Sequence, residues 1–76
     1  MRYAVIYQDA DGVLNVFTSK HITIRGAKVR LKDAGRTYGK TNCGIVEYDK
    51  SVCGIRDQKI IVAILAGNAE WVTELQ

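Results

Sequence analysis

The chain has no proline, one histidine, two cysteines and no apolar run longer than "IIVAILA", Ile60 to Ala66. Each shortage excludes something. A bilayer span takes about 20 apolar residues, so this run cannot cross a membrane and reads instead as a buried strand. No basic leader followed by an apolar stretch opens the sequence, and a cytosolic, host-cytoplasmic protein is expected. Zinc sites want four Cys/His ligands with a close pair among them. Cys43 and Cys53 lie ten apart with only His21 besides, so no metal is expected. Thiols in the cytosol stay reduced by default, and a Cys43–Cys53 disulfide would need a hairpin to bring the two face to face. The lone imidazole, just before a helix, gives no Cys–His arrangement that spacing supports. The acids fall in a turn (Asp9, Asp11), a strand end (Glu47, Asp49) and the terminal element (Glu70, Glu74). No catalytic residue and no cofactor is assigned, and the protein is expected not to be an enzyme.

Acid is scarcest where base is richest. Between Lys20 and Lys40 lie Lys20, Arg25, Lys28, Arg30, Lys32, Arg36 and Lys40 against the single acid Asp33, whereas the rest of the chain is net acidic. The overall charge is only +3, so its distribution says more than its sum. With 76 residues, 47% of them apolar and 25% charged, the chain makes one small domain over residues 1–76, near the lower limit for a self-sufficient core.

"RYAVIYQ" (Arg2 to Gln8) and "VLNVFTS" (Val13 to Ser19) are rich in β-branched and aromatic residues. They flank "DADG", Asp9 to Gly12, which suits a tight reversal better than the partial calcium loop its acids resemble. From Thr23 the period changes. Ile24, Ala27, Leu31 and Ala34 mark one helical face, with Thr23 or Ser19 as the cap and Gly35 as the expected stop. Gly26 lies inside this helix and weakens it. "CGIVEYD" (Cys43 to Asp49) reads as a third strand, Lys50 to Gln58 as polar and turn-prone, and "KIIVAILA" (Lys59 to Ala66) as a central strand. Gly67-Asn68 reverses the chain. Asn68 could cap a short helix over 69–75, but Trp71, Val72 and Thr73 favour a strand and a closing hairpin, with Trp71 as a core residue. The expected fold is α+β: an antiparallel sheet of about five strands with one α-helix on one face, in the order ββαβββ. One helix leaves the other face to be polar or covered by a partner or second copy.

"AGRTYGKT", Ala34 to Thr41, satisfies the looser P-loop pattern. Such a loop must leave a buried strand and enter a helix, so that N–H groups face the phosphates. Here it begins where a helix ends, and nucleotide hydrolysis is rejected. What remains is a cationic surface. At 100° per residue, Arg25, Lys28, Lys32 and Arg36 fall within a sector of about 80°, beside the apolar stripe, followed by a loop with Tyr38 and Lys40. Such a row could track phosphates, with Tyr38 stacking on bases. An alternative is a solvated helix face that keeps the domain soluble.

Three local features carry a resemblance: the opening "YAVIY" (Tyr3 to Tyr7), the basic helix "RGAKVRLK" (Arg25 to Lys32) after a first hairpin, and the final "EWVTEL" (Glu70 to Leu75). With the short length and the order of elements, they resemble small phage-encoded anti-CRISPR inhibitors, particularly some directed at type I surveillance complexes. The resemblance implies a protein that binds a large nucleoprotein complex and blocks its DNA path. The positive charge departs from those inhibitors that imitate nucleic acid with acidic surfaces. The leading expectation is a non-enzymatic, phage-type interaction protein that inhibits a host protein or nucleoprotein complex through Arg25, Lys28, Lys32, Arg36, Tyr38 and Lys40. A DNA- or RNA-binding module using the same surface is the alternative, and a structural homodimeric domain the third.

Overall fold

The computed structural model describes residues 1–53 and 57–73, with all their side chains except those at 52 and 53. In chain order the elements are β1 (Arg2–Gln8), β2 (Leu14–His21), α1 (Ile24–Tyr38), a 3₁₀ turn (Lys40–Asn42), β3 (Cys43–Tyr48), the single turn α2 (Lys50–Cys53), α3 (Asp57–Leu65) and β4 (Glu70–Thr73). The α+β class is as expected. Among the described residues, however, the antiparallel sheet has four strands, in the order β2-β1-β3-β4.

The main correction concerns Lys59 to Ala66. This run is not a central strand but most of helix α3, and the turn-prone stretch before it holds α2 and the start of α3. Ile60 and Ala63 are buried and Ile61 and Ile64 half-buried, at the spacing of one helical face, whereas Val62 and Leu65 are 60% and 75% exposed. Asp57 places a negative charge in the first turn, where the helix dipole favours it. At the other end Gly67 adopts φ 80°. Its N–H donates to the Ile64 carbonyl at 3.1 Å, and the Asn68 N–H to the Ala63 carbonyl at 2.7 Å, so Gly67-Asn68 caps a helix rather than turning a hairpin.

With a second helix, both faces of the sheet are covered. The β1 and β3 side chains alternate. Val5, Cys43 and Ile45 pack with Ala27, Leu31 and Ala34 of α1, together with Tyr3, Tyr7 and Phe17. Ala4, Ile6, Val46 and Tyr48 pack with Ile60 and Ala63 of α3, flanked by Leu14, Val16 and Trp71. The face expected to be polar, or to be covered by a partner or second copy, is apolar and is covered by α3. Val5, Ile6, Ile45, Val46, Tyr48 and Ile60 are the largest fully buried side chains, each contributing about 1.5–3 kcal/mol by burial. Residues 70–73 form a strand, as expected, with Trp71 half-buried against the α3-side core. The strand pairs with β3 (Val46 opposite Trp71) rather than closing a hairpin on residues 59–66, and Leu75 lies outside the described residues.

The first hairpin forms where the acids and glycine suggested. Asp9 Oδ1 accepts from the N–H groups of Asp11 (2.9 Å) and Val13 (3.0 Å), and Asp9 Oδ2 from Asn15 Nδ2 (3.3 Å). These bonds, the one from Val13 above all, hold the Asp9 carboxyl below its ordinary range. The carboxylate is therefore committed to the turn.

Strand β2 continues past the expected Ser19 to His21 and carries two register irregularities against β1. At the second, Lys20 takes φ 65° and donates its N–H to the Tyr48 hydroxyl at 3.0 Å. Such bulges discourage edge-to-edge pairing of an outer strand.

Candidate functional site

Helix α1 begins as the sequence implied: Thr23 Oγ1 accepts from the Gly26 N–H at 3.1 Å. It does not end at Gly35. The helix runs on to Tyr38, and Gly39, at φ 95°, is the residue that leaves it, donating its N–H to the Gly35 carbonyl at 2.9 Å. Gly35 was expected to be the stop because it follows the last apolar residue of the stripe. The helix outlasts its stripe because Tyr38, one turn further on, finds its own partners.

Those partners are aromatic. The Tyr38 ring stacks on Tyr7 with centroids 3.8 Å apart and 4° between planes, and Phe17 stands edge-on to both. The Tyr7 phenol is pushed above its ordinary value, first by its hydrogen bond to Tyr38 and then by burial. At 36% exposure, Tyr38 has one ring face already occupied by the protein's own sheet.

The P-loop pattern is accounted for by the same geometry. Ala34 is buried against the sheet, and Gly35 is helical. The Gly39 and Asn42 N–H groups are used internally, on the carbonyls of Gly35 and Gly39. The pattern thus straddles the C-terminal end of α1, whereas a phosphate loop enters the N-terminus of a helix.

The five cations lie on the surface: Arg25, Lys28, Lys32 and Arg36 on the outer side of α1, and Lys40 in the 3₁₀ turn behind it. Asp33 is shared by Arg30 at 3.2 Å and Arg36 at 3.3 Å, both i,i+3 pairs. Arg36 is thus partly answered within the helix. Arg25, Lys28, Lys32 and Lys40 have no ion-pair partner among the described residues. Within this row sits an apolar side chain that inspection of charge alone passed over. Val29 is 58% exposed, and with Ile24, Arg25, Lys28 and Lys32 it lines a shallow groove of about 330 Å³. A second groove, of about 380 Å³, lies between Leu31, Lys32, Gly35 and Arg36 of α1, Lys40 and Cys43. The sequence places Leu31 on the apolar stripe of α1 and Cys43 at the start of a strand, and only the meeting of α1 with β3 shows that both reach this groove.

The histidine and the cysteine whose side chain is described are kept apart. His21 pairs with Tyr3 at one end of β1, and Cys43 with Tyr7 at the other, about 13 Å along the strand at 3.3 Å per residue. His21 Nε2 is hydrogen-bonded to Thr18 Oγ1 at 2.8 Å. The Cys43 thiol is free and buried, donates to the Gly39 carbonyl at 3.4 Å, and is pushed up by burial. The Cys53 side chain lies outside the described ones. Among the described residues no group of three or more metal-ligating side chains comes together, and no helix is long and apolar enough to cross a membrane.

No family model matches the chain, and no curated protein and no solved structure matches it either. Its class is architectural: among the described residues, a four-stranded antiparallel sheet between helices, with a cationic outer face on the longer helix.

Proposed function

We propose that the protein is a non-enzymatic interaction module that docks the outer face of α1 on an acidic surface of a host protein or nucleoprotein complex and blocks it, as a phage-type inhibitor acting in the host cytoplasm would. Arg25, Lys28, Lys32, Arg36 and Lys40 supply the charge. The observation that carries this reading is the exposed Val29 set among cations that have no acid partner among the described residues. Apolar contact inside a charged row suits a protein surface, where an apolar centre carries affinity and charges steer the approach. Phosphate backbones offer an apolar side chain little.

Nucleic-acid binding by the same surface is the second reading, favoured by those four unanswered cations. It is weakened by Tyr38, whose ring is engaged with Tyr7 rather than left open as a stacking platform. The test is an anisotropy titration with labelled single- and double-stranded DNA and RNA at two salt concentrations, beside affinity capture from nuclease-treated host lysate. The proposal expects capture that survives nuclease and weak oligonucleotide binding. If four cations instead contacted phosphates, the log–log salt slope would approach about −3.6, and the second reading would replace the first.

A further inference from the structure

The groove behind α1 differs from the rest of the cationic face. Its floor is Leu31 and Cys43, both of the α1-side core, and its rim is Lys32, Arg36 and Lys40. The floor offers almost nothing to a bare anion: leucine has no donor, and the Cys43 thiol is already spent on the Gly39 carbonyl. The volume of about 380 Å³ is at the small end for ligand clefts and suits a single inserted side chain. Gly35 keeps it open. A Cβ at this position would stand 3.4 Å from Lys40 Cγ and 3.6 Å from Lys40 Cα, so a methyl is accommodated but a longer side chain fills the groove.

An apolar floor under three cations is complementary to an apolar side chain carried between carboxylates. We propose that this groove is the anchor pocket of the docking surface, taking one aromatic or branched aliphatic side chain of the partner protein from a segment whose flanking Asp or Glu residues reach Lys32, Arg36 and Lys40. The proposal rests on the acidic-partner reading above and adds where its specificity lies. Charges around the rim orient the segment and speed its arrival, while burial of the anchor holds it.

The test is a ¹⁵N chemical-shift titration of the full chain with two peptides, Ac-EEFEE-NH₂ and Ac-EEGEE-NH₂, at low salt. The phenylalanine peptide is expected to shift the amides of Leu31, Lys32, Gly35, Arg36, Lys40 and Cys43. It should bind about tenfold or more tightly than the glycine peptide, as burial of one aromatic side chain requires. Gly35→Leu should erase that preference, bringing the phenylalanine peptide's affinity down to that of the glycine peptide. If Gly35→Leu does not fold, Gly35→Met, a flexible and helix-favouring side chain long enough to fill the groove, must lower the preference severalfold. Equal affinities for the two peptides, or shifts centred away from the groove, would overturn the anchor pocket and leave acidic docking standing. Binding of neither peptide, together with binding of a DNA oligonucleotide, would overturn both.

Discussion

Tyr38, the last residue of α1, lies flat on Tyr7 of β1, with ring centroids 3.8 Å apart. This stack joins the cationic end of the helix to a central strand and converts a residue that looked like a base platform into a clamp. Aromatic pairs are worth about 0.5–1.5 kcal/mol beyond the area they bury. Tyr38→Ala should therefore lower stability by on the order of 2 kcal/mol in urea titrations. Tyr38→Phe, which keeps the stack and loses the hydroxyl contact, should lose less than half of that. An unstable Tyr38→Phe beside a stable Tyr38→Ala would deny the clamp.

The corrected end of α1 makes opposite predictions for two glycines. Gly35 is inside the helix, where Ala is the better residue by up to about 1 kcal/mol, and its Cβ would meet only ordinary contacts. Gly35→Ala should raise the midpoint of thermal unfolding. Gly39 holds φ 95°, and a Cβ there would approach Asn42 Nδ2 to 3.2 Å. Gly39→Ala should destabilise by about 1 kcal/mol or more. The reverse ranking would return the helix stop to Gly35.

Tyr48, 1% exposed, reaches from β3 to the Lys20 N–H at 3.0 Å. Tyr48→Phe removes this acceptor and should lower stability by about 1 kcal/mol, the net worth of a partly buried hydrogen bond. Lys20 itself occupies the left-handed region at φ 65°. Lys20→Gly should accordingly be neutral or stabilising, unlike glycine elsewhere in a strand. Both are read by chemical denaturation.

Burial, and then the nearby Arg30 charge, hold the His21 ring below its ordinary value, which is near 6.5. The folded chain therefore binds fewer protons at this site than the unfolded chain. The contribution is full above about pH 6.5 and is lost as pH falls through the lowered folded value. Denaturation midpoints should decline from about pH 7 to pH 5, and His21→Gln should flatten that decline. An unchanged slope in the variant would remove His21 as its source.

Much of this fold is legible from local chemistry. The first hairpin follows from Asp9 and Gly12, α1 from Thr23 and the Ile24–Ala27–Leu31–Ala34 stripe, and β4 from the propensities of Trp71, Val72 and Thr73. Helix α3 was misread because its exposed positions, Val62 and Leu65, are as apolar as its buried ones, which hides the helical period inside an unbroken run. The flanking Asp57 and Gly67-Asn68 were the available signals. That single error changed the strand count and left one face of the sheet apparently bare. On the candidate surface the cationic row is readable from i,i+3 and i,i+4 spacing, and so is the placing of Asp33 between Arg30 and Arg36. The groove is not readable in this way, because it exists only where β3 brings Cys43 beside Leu31 and Lys40 turns back across Gly35.

The most direct measurement of acidic docking is a binding comparison between the wild-type chain and the double variant Lys28→Glu, Lys32→Glu, using a protein captured from nuclease-treated host lysate and then purified. Both substitutions lie on the exposed side of α1, so circular dichroism should confirm an unchanged fold. The account predicts at least a tenfold loss of affinity in the variant, with no nucleic acid needed for wild-type binding. Equal affinity of the two chains for that protein would contradict it.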